Sequence, residues 1–352
     1  MPERKLRVGL IGVGNIAQGE HLPAWQRIPQ AQVIAAADVS VSALKQVSER
    51  FGIQKTYYDW QEMLKEVPLD VVDICTPNQW HPIIAREALS RGIHVLCEKP
   101  LATSSAAVLE LKQLAEKNKR IIMTAHHLRF RPSTIALQHT MKHGRIGNIY
   151  YLRAQWLRRR MLPPSPTFIH RELSGGGAIW DIGVHVLDLA YYLLGCPRPL
   201  SVSAQIDCYL ANRPDLGSIW GDWDRQKMDV DDFAIGWIRF ENGTSLCLET
   251  SWLAFQPDAE IVRLQGYGTQ GGFLWPEGII CGETEQIPWT TYIGCESDKL
   301  AYINEVKAFV EAILENKPSP VPLEQTHTVI RILELFEKSS REKREIRFPE
   351  RD

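Results

Sequence analysis

The 352-residue sequence contains no Cys-x-x-Cys pair, and its seven cysteines (75, 97, 196, 208, 247, 281 and 295) are odd in number and widely scattered. That pattern argues against a zinc ribbon or a disulfide frame, and reduced thiols in a cytoplasmic protein are expected. No stretch approaches the roughly 18 consecutive apolar residues that span a bilayer, so no membrane partner is expected. The opening "MPERKLRVGLIGVG" passes from charged residues straight into a short apolar run, without the apolar core and cleavage site of a signal peptide. Charge of one sign is also missing: 40 Lys and Arg stand against 42 Asp and Glu, a formal net charge of −2. Such a chain has no global attraction for nucleic acid, and no nucleic-acid recognition motif is present. Internal repeats and low-complexity tracts are absent as well.

What is present is an ordinary globular composition, 44% hydrophobic and 23% charged, at a length that suits two domains of roughly 150 residues. Over the first 125 residues, "LRVGLIG" (6–12), "AQVIAAAD" (31–38), "LDVVDICTP" (69–77), "IHVLCEKP" (93–100) and "RIIMTAH" (120–126) predict buried parallel strands. Helical spacing over 41–51, 80–91 and 104–118 separates them, and this alternation predicts a sheet wrapped on both faces. After residue 145, "GNIYYLRAQWLR", "LSVSAQIDCYL", "DFAIGWIRFENGTSLCLETSWLAF" and "AEIVRLQGYGTQGGFLW" predict antiparallel strands, with "ENGT" (241–244) as a hairpin turn. Two helices are expected over 299–316 and 324–340. The predicted fold is α/β: an N-terminal Rossmann, doubly wound parallel sheet over 1–125, then an α+β domain over 126–352. The second domain is expected to hold a large open, mostly antiparallel sheet for substrate binding and oligomerisation, with last helices that can pack back on the first.

"GVGNIA" (12–17) sits at the first strand-to-helix junction. Gly12 permits the tight turn, Gly14 lets the backbone approach a pyrophosphate, Asn15 and Ile16 continue the turn and are expected at the cofactor with both glycines, and Ala17 is the small packing position. The anion would rest on the N–H groups of the helix start. Asp38 ends the second strand at the distance where a carboxylate accepts from ribose hydroxyls and repels a 2′-phosphate, so NAD is expected over NADP. The competing reading is a structural turn with Asp38 capping the next helix, although Ser40 can serve as that cap. Thr76, Pro77, Asn78, Glu98 and Lys99 lie on the carboxyl edge of the same sheet and are expected to border the cofactor. His81 is expected there too, either at the cofactor or as a hydrogen-bonder at a helix start. Lys99 alone reads equally as a solvated loop lysine.

In "GGGAIWDIGVHVLD" (175–188), Asp181 and His185 are spaced i, i+4, and His185 and Asp188 i, i+3, on an otherwise apolar helix. The bland account is a buried histidine satisfied by a carboxylate. With one histidine and no further ligand spacing, no metal site is expected. Basic residues Arg129, Arg131, Arg153, Arg158, Arg159, Arg160 and Arg171 either bind an anionic group or solvate a face. The polar segment "DLGSIWGDWDRQKMDVDD" (215–232) offers Trp220 and Trp223 as a platform for a sugar or as a subunit contact.

"GVGNIA", "TPNQWH", "EKPLA" and "GGGAIWDIGVHVLD", in this order, resemble the Gfo/Idh/MocA oxidoreductase family over nearly the whole chain. The resemblance implies that Lys99, Asp181 and His185 form the catalytic set of an NAD(P)-dependent oxidoreductase acting on the CH–OH group of a sugar, glycoside or cyclitol. It also implies reversible hydride transfer, with C3 of a glycoside among the candidate positions, and a homodimer or homotetramer built on the open sheet. His185 is then the general base, Lys99 stabilises alkoxide character, and Asp181 orients substrate or imidazole. Substrate contacts are expected from Lys99, Asp181 and His185 together with His127, Arg129, Arg158, Arg160 and Trp223. "TAHHLRFRP" (124–132) departs from the "NRRF"-like segment of many relatives, with His126 and His127 in the substrate-side wall. Two other readings stand beside this one: a glycoside hydrolase or lyase using transient oxidation, and a non-catalytic NAD-binding regulator, against which the retained Lys99, Asp181 and His185 argue.

Overall fold

The computed structural model describes residues 4–294 and 297–349, so Cys295 lies outside the described residues. The chain divides into two compact units, residues 1–130 with 299–327 and residues 131–298 with 328–352. This differs from a single cut at 125/126, because the segment after residue 298 returns to the first unit before the chain leaves it again.

The first unit is a six-stranded parallel sheet of order β3-β2-β1-β4-β5-β6. Its strands are β1 (Leu6–Ile11), β2 (Ala31–Ala37), β3 (Lys55–Tyr57), β4 (Val71–Ile74), β5 (His94–Glu98) and β6 (Ile122–Ala125). Between them run α1 (Leu22–Gln26), α2 (Val41–Phe51), α3 (Trp60–Glu66), α4 (His81–Ser90) and α5 (Ser105–Asn118). The sequence pattern missed β3 and α3: an edge strand of three residues and a helix of two turns are too short for periodicity to register. Strand order reverses between β1 and β4, which places the switch point of the doubly wound sheet at Gly12 and Thr76. One core cluster joins Val8, Trp25, Val71, Leu96 and Met123 to Val306, Phe309 and Val310 of α10 (Ala301–Leu314), which is why α10 belongs to this unit.

The second unit opens with α6 (Pro132–Lys142) and is built on a nine-stranded sheet of order β14-β13-β12-β11-β7-β10-β9-β8-β15. These are β7 (Ile149–Arg158), β8 (Pro199–Asp207), β9 (Phe233–Phe240), β10 (Ser245–Ser251), β11 (Glu260–Gly268), β12 (Gly271–Trp275), β13 (Ile279–Thr284), β14 (Ile287–Tyr292) and β15 (Ile346–Arg347). All neighbours are antiparallel except β7 and β10, which run parallel. Period-2 alternation assigns the faces: Leu152, Ala154 and Trp156 of β7 and Leu246 and Leu248 of β10 are buried. Short helices α7 (Pro166–Ile169) and α8 (Arg171–Ser174) precede α9 (Val184–Leu193), which packs on β7, β10 and β11. The last helix, α11 (Leu323–Glu342), crosses from the first unit into the second at 327/328. In the second unit Ser339 and Ser340 of α11 accept the N–H groups of Ala204 and Ile206 on β8, both at 2.9 Å. Among the described residues no helix is long and apolar enough to cross a membrane.

Candidate active site

In the first unit, the turn after β1 is built for close backbone approach. Gly12 has φ +84°, and a Cβ there would stand 2.6 Å from the Cys75 carbonyl and 2.7 Å from the Thr76 nitrogen. Nothing lies within 4 Å of a Cβ placed on Gly14, so that side of the turn is open. Asp38 ties the turn to the end of β2: Oδ2 accepts the Val13 N–H at 2.7 Å and Oδ1 the Ser40 N–H at 2.8 Å. The helix cap is Ser40, whose hydroxyl accepts the Ala43 N–H at 3.3 Å. Asp38 therefore keeps acceptor capacity for a ligand while its position is set by the backbone. Across the switch point, Thr76 Oγ1 is buried without a hydrogen-bond partner. An open cradle at Gly14, an acidic partner at Asp38 and an orphaned hydroxyl at Thr76 fit a dinucleotide. Asn15, Pro77 and Asn78 lie along the same edge; Ile16 instead turns into the core packed on Leu10, Val13 and Ala17.

Two of the residues expected at the cofactor are buried and already bonded within the chain. His81 is 0% exposed, with Nδ1 2.7 Å from the Pro100 carbonyl and Nε2 2.7 Å from the Thr76 carbonyl, so it ties together the segments that follow β4 and β5. Glu98 directs Oε1 to His21 Nε2 at 2.9 Å and accepts the Lys99 N–H on Oε2 at 3.0 Å. Burial would raise this carboxyl, but the hydrogen bond and charge of His21 and the charge of Lys99 hold it at about 2. His21 and Asp73 were not anticipated. The signal was in "VVDIC": a carboxylate in the middle of a buried strand demands a partner.

In the second unit, the glycine run starts the helix that carries Asp181. A Cβ on Gly177 would fall 1.8 Å from the Asp231 carbonyl oxygen. The Asp231 carboxylate accepts the N–H groups of Gly177 at 2.8 Å and Ile179 at 3.1 Å, anchoring the helix start. Burial pushes Asp231 up to about 6, against those two bonds. The first turn, Ile179–Gly183, is a π-turn, a widening often found at functional sites, and α9 follows it. Asp181 sits in the wide turn and His185 in the first turn of α9.

Asp181 Oδ2 accepts the indole N–H of Trp252 at 3.0 Å and lies 3.7 Å from Arg158 Nη1. Arg158 Nε donates to Glu260 at 2.9 Å, and Trp156 Nε1 donates to the same oxygen at 2.8 Å. The Arg158 guanidinium lies 5.4 Å from the Trp156 ring and 4.9 Å from the Trp220 ring. His185, 7% exposed, faces Trp156 at 5.2 Å between ring centroids. Asp188 is fully buried. One end of β7 thus joins a carboxylate, an imidazole, a guanidinium and three indoles, of which Trp220 is the exposed one. Alternating polar groups and indole faces suit a polyol ring, whose hydroxyls hydrogen-bond and whose C–H faces stack.

The other basic residues disperse. Arg153 pairs with Glu249, Arg171 with Glu337, Arg131 with Asp298, and the buried Arg129 bonds Gln325. Arg159 and Arg160 are exposed beyond the end of β7, with Arg160 on the Gly217 carbonyl, so Arg160 is not part of the Asp181 cluster. His127 stacks on Tyr302 at 4.6 Å in the first unit. Trp223, expected as a platform, is buried: its indole donates to the Ala211 carbonyl at 3.1 Å and Arg225 covers its ring at 4.2 Å. It is the core of its own loop, and that loop presents Trp220 instead.

Residues 6–126 match the model described as oxidoreductase family, NAD-binding Rossmann fold, and residues 134–274 match the GFO/IDH/MocA C-terminal domain. The chain is 32% identical over 320 residues to D-glucoside 3-dehydrogenase of Escherichia coli, covering 90% of each. It is 30% identical over 293 residues to levoglucosan dehydrogenase of Pseudarthrobacter phenanthrenivorans, covering 77% of this chain and 74% of that one. A solved levoglucosan dehydrogenase in complex with NADH and levoglucosan shares the fold, with a TM-score of 0.86 at 24% identity over 99% of this chain and 100% of that one.

Proposed function

The chain belongs to the Gfo/Idh/MocA oxidoreductase family, and from that membership we propose that it is an NAD-dependent dehydrogenase oxidising the C3 hydroxyl of a D-glucoside. Oxidation of a sugar, glycoside or cyclitol CH–OH group is the activity its relatives share by name. The observation that carries the reading is Asp181, held by Trp252 and Arg158 in an indole-walled polar cluster one turn from His185.

Gly12, Gly14, Asn15, Asp38, Thr76, Pro77 and Asn78 are the residues that would hold NAD. When bound, NAD supplies the hydride acceptor for the carbinol C–H. The chain's own work is to orient the alcohol and to take its proton. An alcohol proton is too weakly acidic to leave unaided near neutrality, and an imidazole is a suited acceptor. His185 Nδ1 is buried, so proton uptake is assigned to Nε2. Lys99 donates to the same oxygen and stabilises its developing negative charge. Asp181 accepts from a neighbouring sugar hydroxyl, with Trp252 and Arg158 fixing which carboxylate oxygen faces it. Free thiols among the described cysteines support a cytoplasmic setting. Exposed Tyr150, Trp237, Tyr267 and Tyr292 on the sheet support assembly into a homodimer or homotetramer.

The test is absorbance at 340 nm with methyl D-glucosides, levoglucosan, free glucose and myo-inositol, each with NAD and NADP, and NMR of the product. Reduction of NAD with a glucoside and a ketone at C3 is expected. A ketone at another carbon, or reduction only with myo-inositol, overturns the C3 reading; silence with every polyol overturns the dehydrogenase.

A further inference from the structure

His21 enters the first unit from a π-turn, Ala17–His21, that follows the glycine turn. Its Nδ1 lies 2.9 Å from Asp73 Oδ2 and its Nε2 2.9 Å from Glu98 Oε1. An imidazole with a carboxylate on each nitrogen must carry both ring protons, since a neutral tautomer would set a lone pair against an anion. The set is closed at both ends. Asp73 also accepts the Trp25 indole N–H at 2.7 Å, and Glu98 gives its second oxygen to the Lys99 N–H at 3.0 Å. His21 is 1% exposed, Asp73 0% and Glu98 7%.

We propose that His21 is a positioning residue for Lys99: a permanent imidazolium that orients Glu98, whose other oxygen fixes the peptide from which the lysine side chain projects. The inference rests on Lys99 acting in the reaction proposed above. Buried ion sets stabilise a fold poorly compared with packed apolar groups, so this one is better explained by the geometry it imposes. Burial opposes the charge on His21, but Asp73 raises it well above the ordinary imidazole value. Cys75, beside Asp73, is pushed up to about 12 by burial and by that carboxylate, and stays a neutral thiol. Tyr302 of α10, its ring 5.8 Å from His21, is raised by burial and by Glu98, with Glu305 and Glu20 adding to the effect, and stays a neutral phenol. His127 stacks on Tyr302, and Lys99 and His127 both act on Glu98 in the same sense as His21.

Ring nitrogen NMR of wild type is expected to show both His21 nitrogens protonated from about pH 6 to pH 9; a single protonated nitrogen overturns the proposal. In His21→Gln, which cannot donate along both ring directions, the Lys99 amide resonance should move and kcat should fall by roughly tenfold to a hundredfold, the cost of a small misplacement. KM for NAD should change little, and the acid limb of the pH–rate profile should rise as Glu98 protonates more readily. A folded His21→Gln with wild-type kcat, pH profile and Lys99 amide shift overturns the proposal, whatever its melting temperature. Glu98→Gln serves if that variant does not fold: loss of the doubly protonated His21 signal together with lowered kcat is expected, and retention of both overturns it. Silence of the wild-type enzyme toward every polyol would refute the proposed activity alone, because the His21 and Lys99 resonances report the geometry without turnover.

Discussion

The indole N–H of Trp252 donates to Oδ2 of Asp181 at 3.0 Å, and Arg158 stands 3.7 Å from the same oxygen. Both partners hold the same carboxylate oxygen and so fix the orientation of the group. Trp252→Phe keeps most of the buried ring and removes the bond. A hydrogen bond to a charged group contributes about 1.5–3 kcal/mol, so kcat/KM for a glucoside should fall roughly tenfold or more while KM for NAD holds. Steady-state kinetics with both substrates varied will check it, and an unchanged kcat/KM would show that Asp181 needs no such support.

Lys99→Ala and His185→Ala should each lower turnover by roughly a hundredfold or more, the range for groups that handle a proton in the transition state. NAD binding, followed by fluorescence titration, should persist in the His185 variant. Near-wild-type turnover in both would remove them from the mechanism.

Asp38 is the residue expected to set the preference for NAD over NADP. Asp38→Asn keeps one of the two backbone acceptors, sets its NH2 against the other N–H, and removes the charge that repels a 2′-phosphate, so the ratio of kcat/KM for NADP to that for NAD should rise about tenfold. An unchanged ratio in parallel assays would place discrimination elsewhere.

The two indoles of the 215–232 segment should separate cleanly. Trp220→Ala should raise KM for glucosides more than for free glucose, because the exposed ring on Arg158 offers a stacking face beyond the sugar. Trp223→Ala should instead lower stability, by about 3 kcal/mol for a buried indole, read in thermal melts. Equal KM effects for both sugars in Trp220→Ala would deny it a role in recognition.

Stability should depend on pH through two carboxyls with opposite signs. Glu98, held at about 2, contributes stability that is full above its unfolded value near 4.5 and is lost as pH falls through about 2. Asp231, pushed to about 6, contributes stability that is full below its unfolded value of 3.8 and is lost as pH rises through about 6. Urea unfolding across this range should show the Asp231 decline between pH 4 and 6, and a flat curve there would count against it.

Much of the first unit was legible in the sequence, because buried parallel strands are continuous apolar runs and the glycine turn has a fixed spacing to Asp38. Helix α2, expected over 41–51, spans Val41–Phe51, with Ser40 and Gly52 as its local caps. The polar helix face at Asp181 and His185 was legible as a puzzle, and its starting glycines were visible before their reason was. Their reason is Asp231, 54 residues downstream of Gly177, which no local pattern connects to it.

Local chemistry in the chain was enough to determine the Rossmann sheet and the open antiparallel sheet, since turns, periodicity and capping act over a few residues. Only tertiary structure decided that Trp220 rather than Trp223 is presented, that His81 and Glu98 face inward, that the arginines disperse, and that His21 lies between two carboxylates. Each of these depends on which distant strands become neighbours, and the free energy of a buried charge or indole is set by those neighbours rather than by its place along the chain.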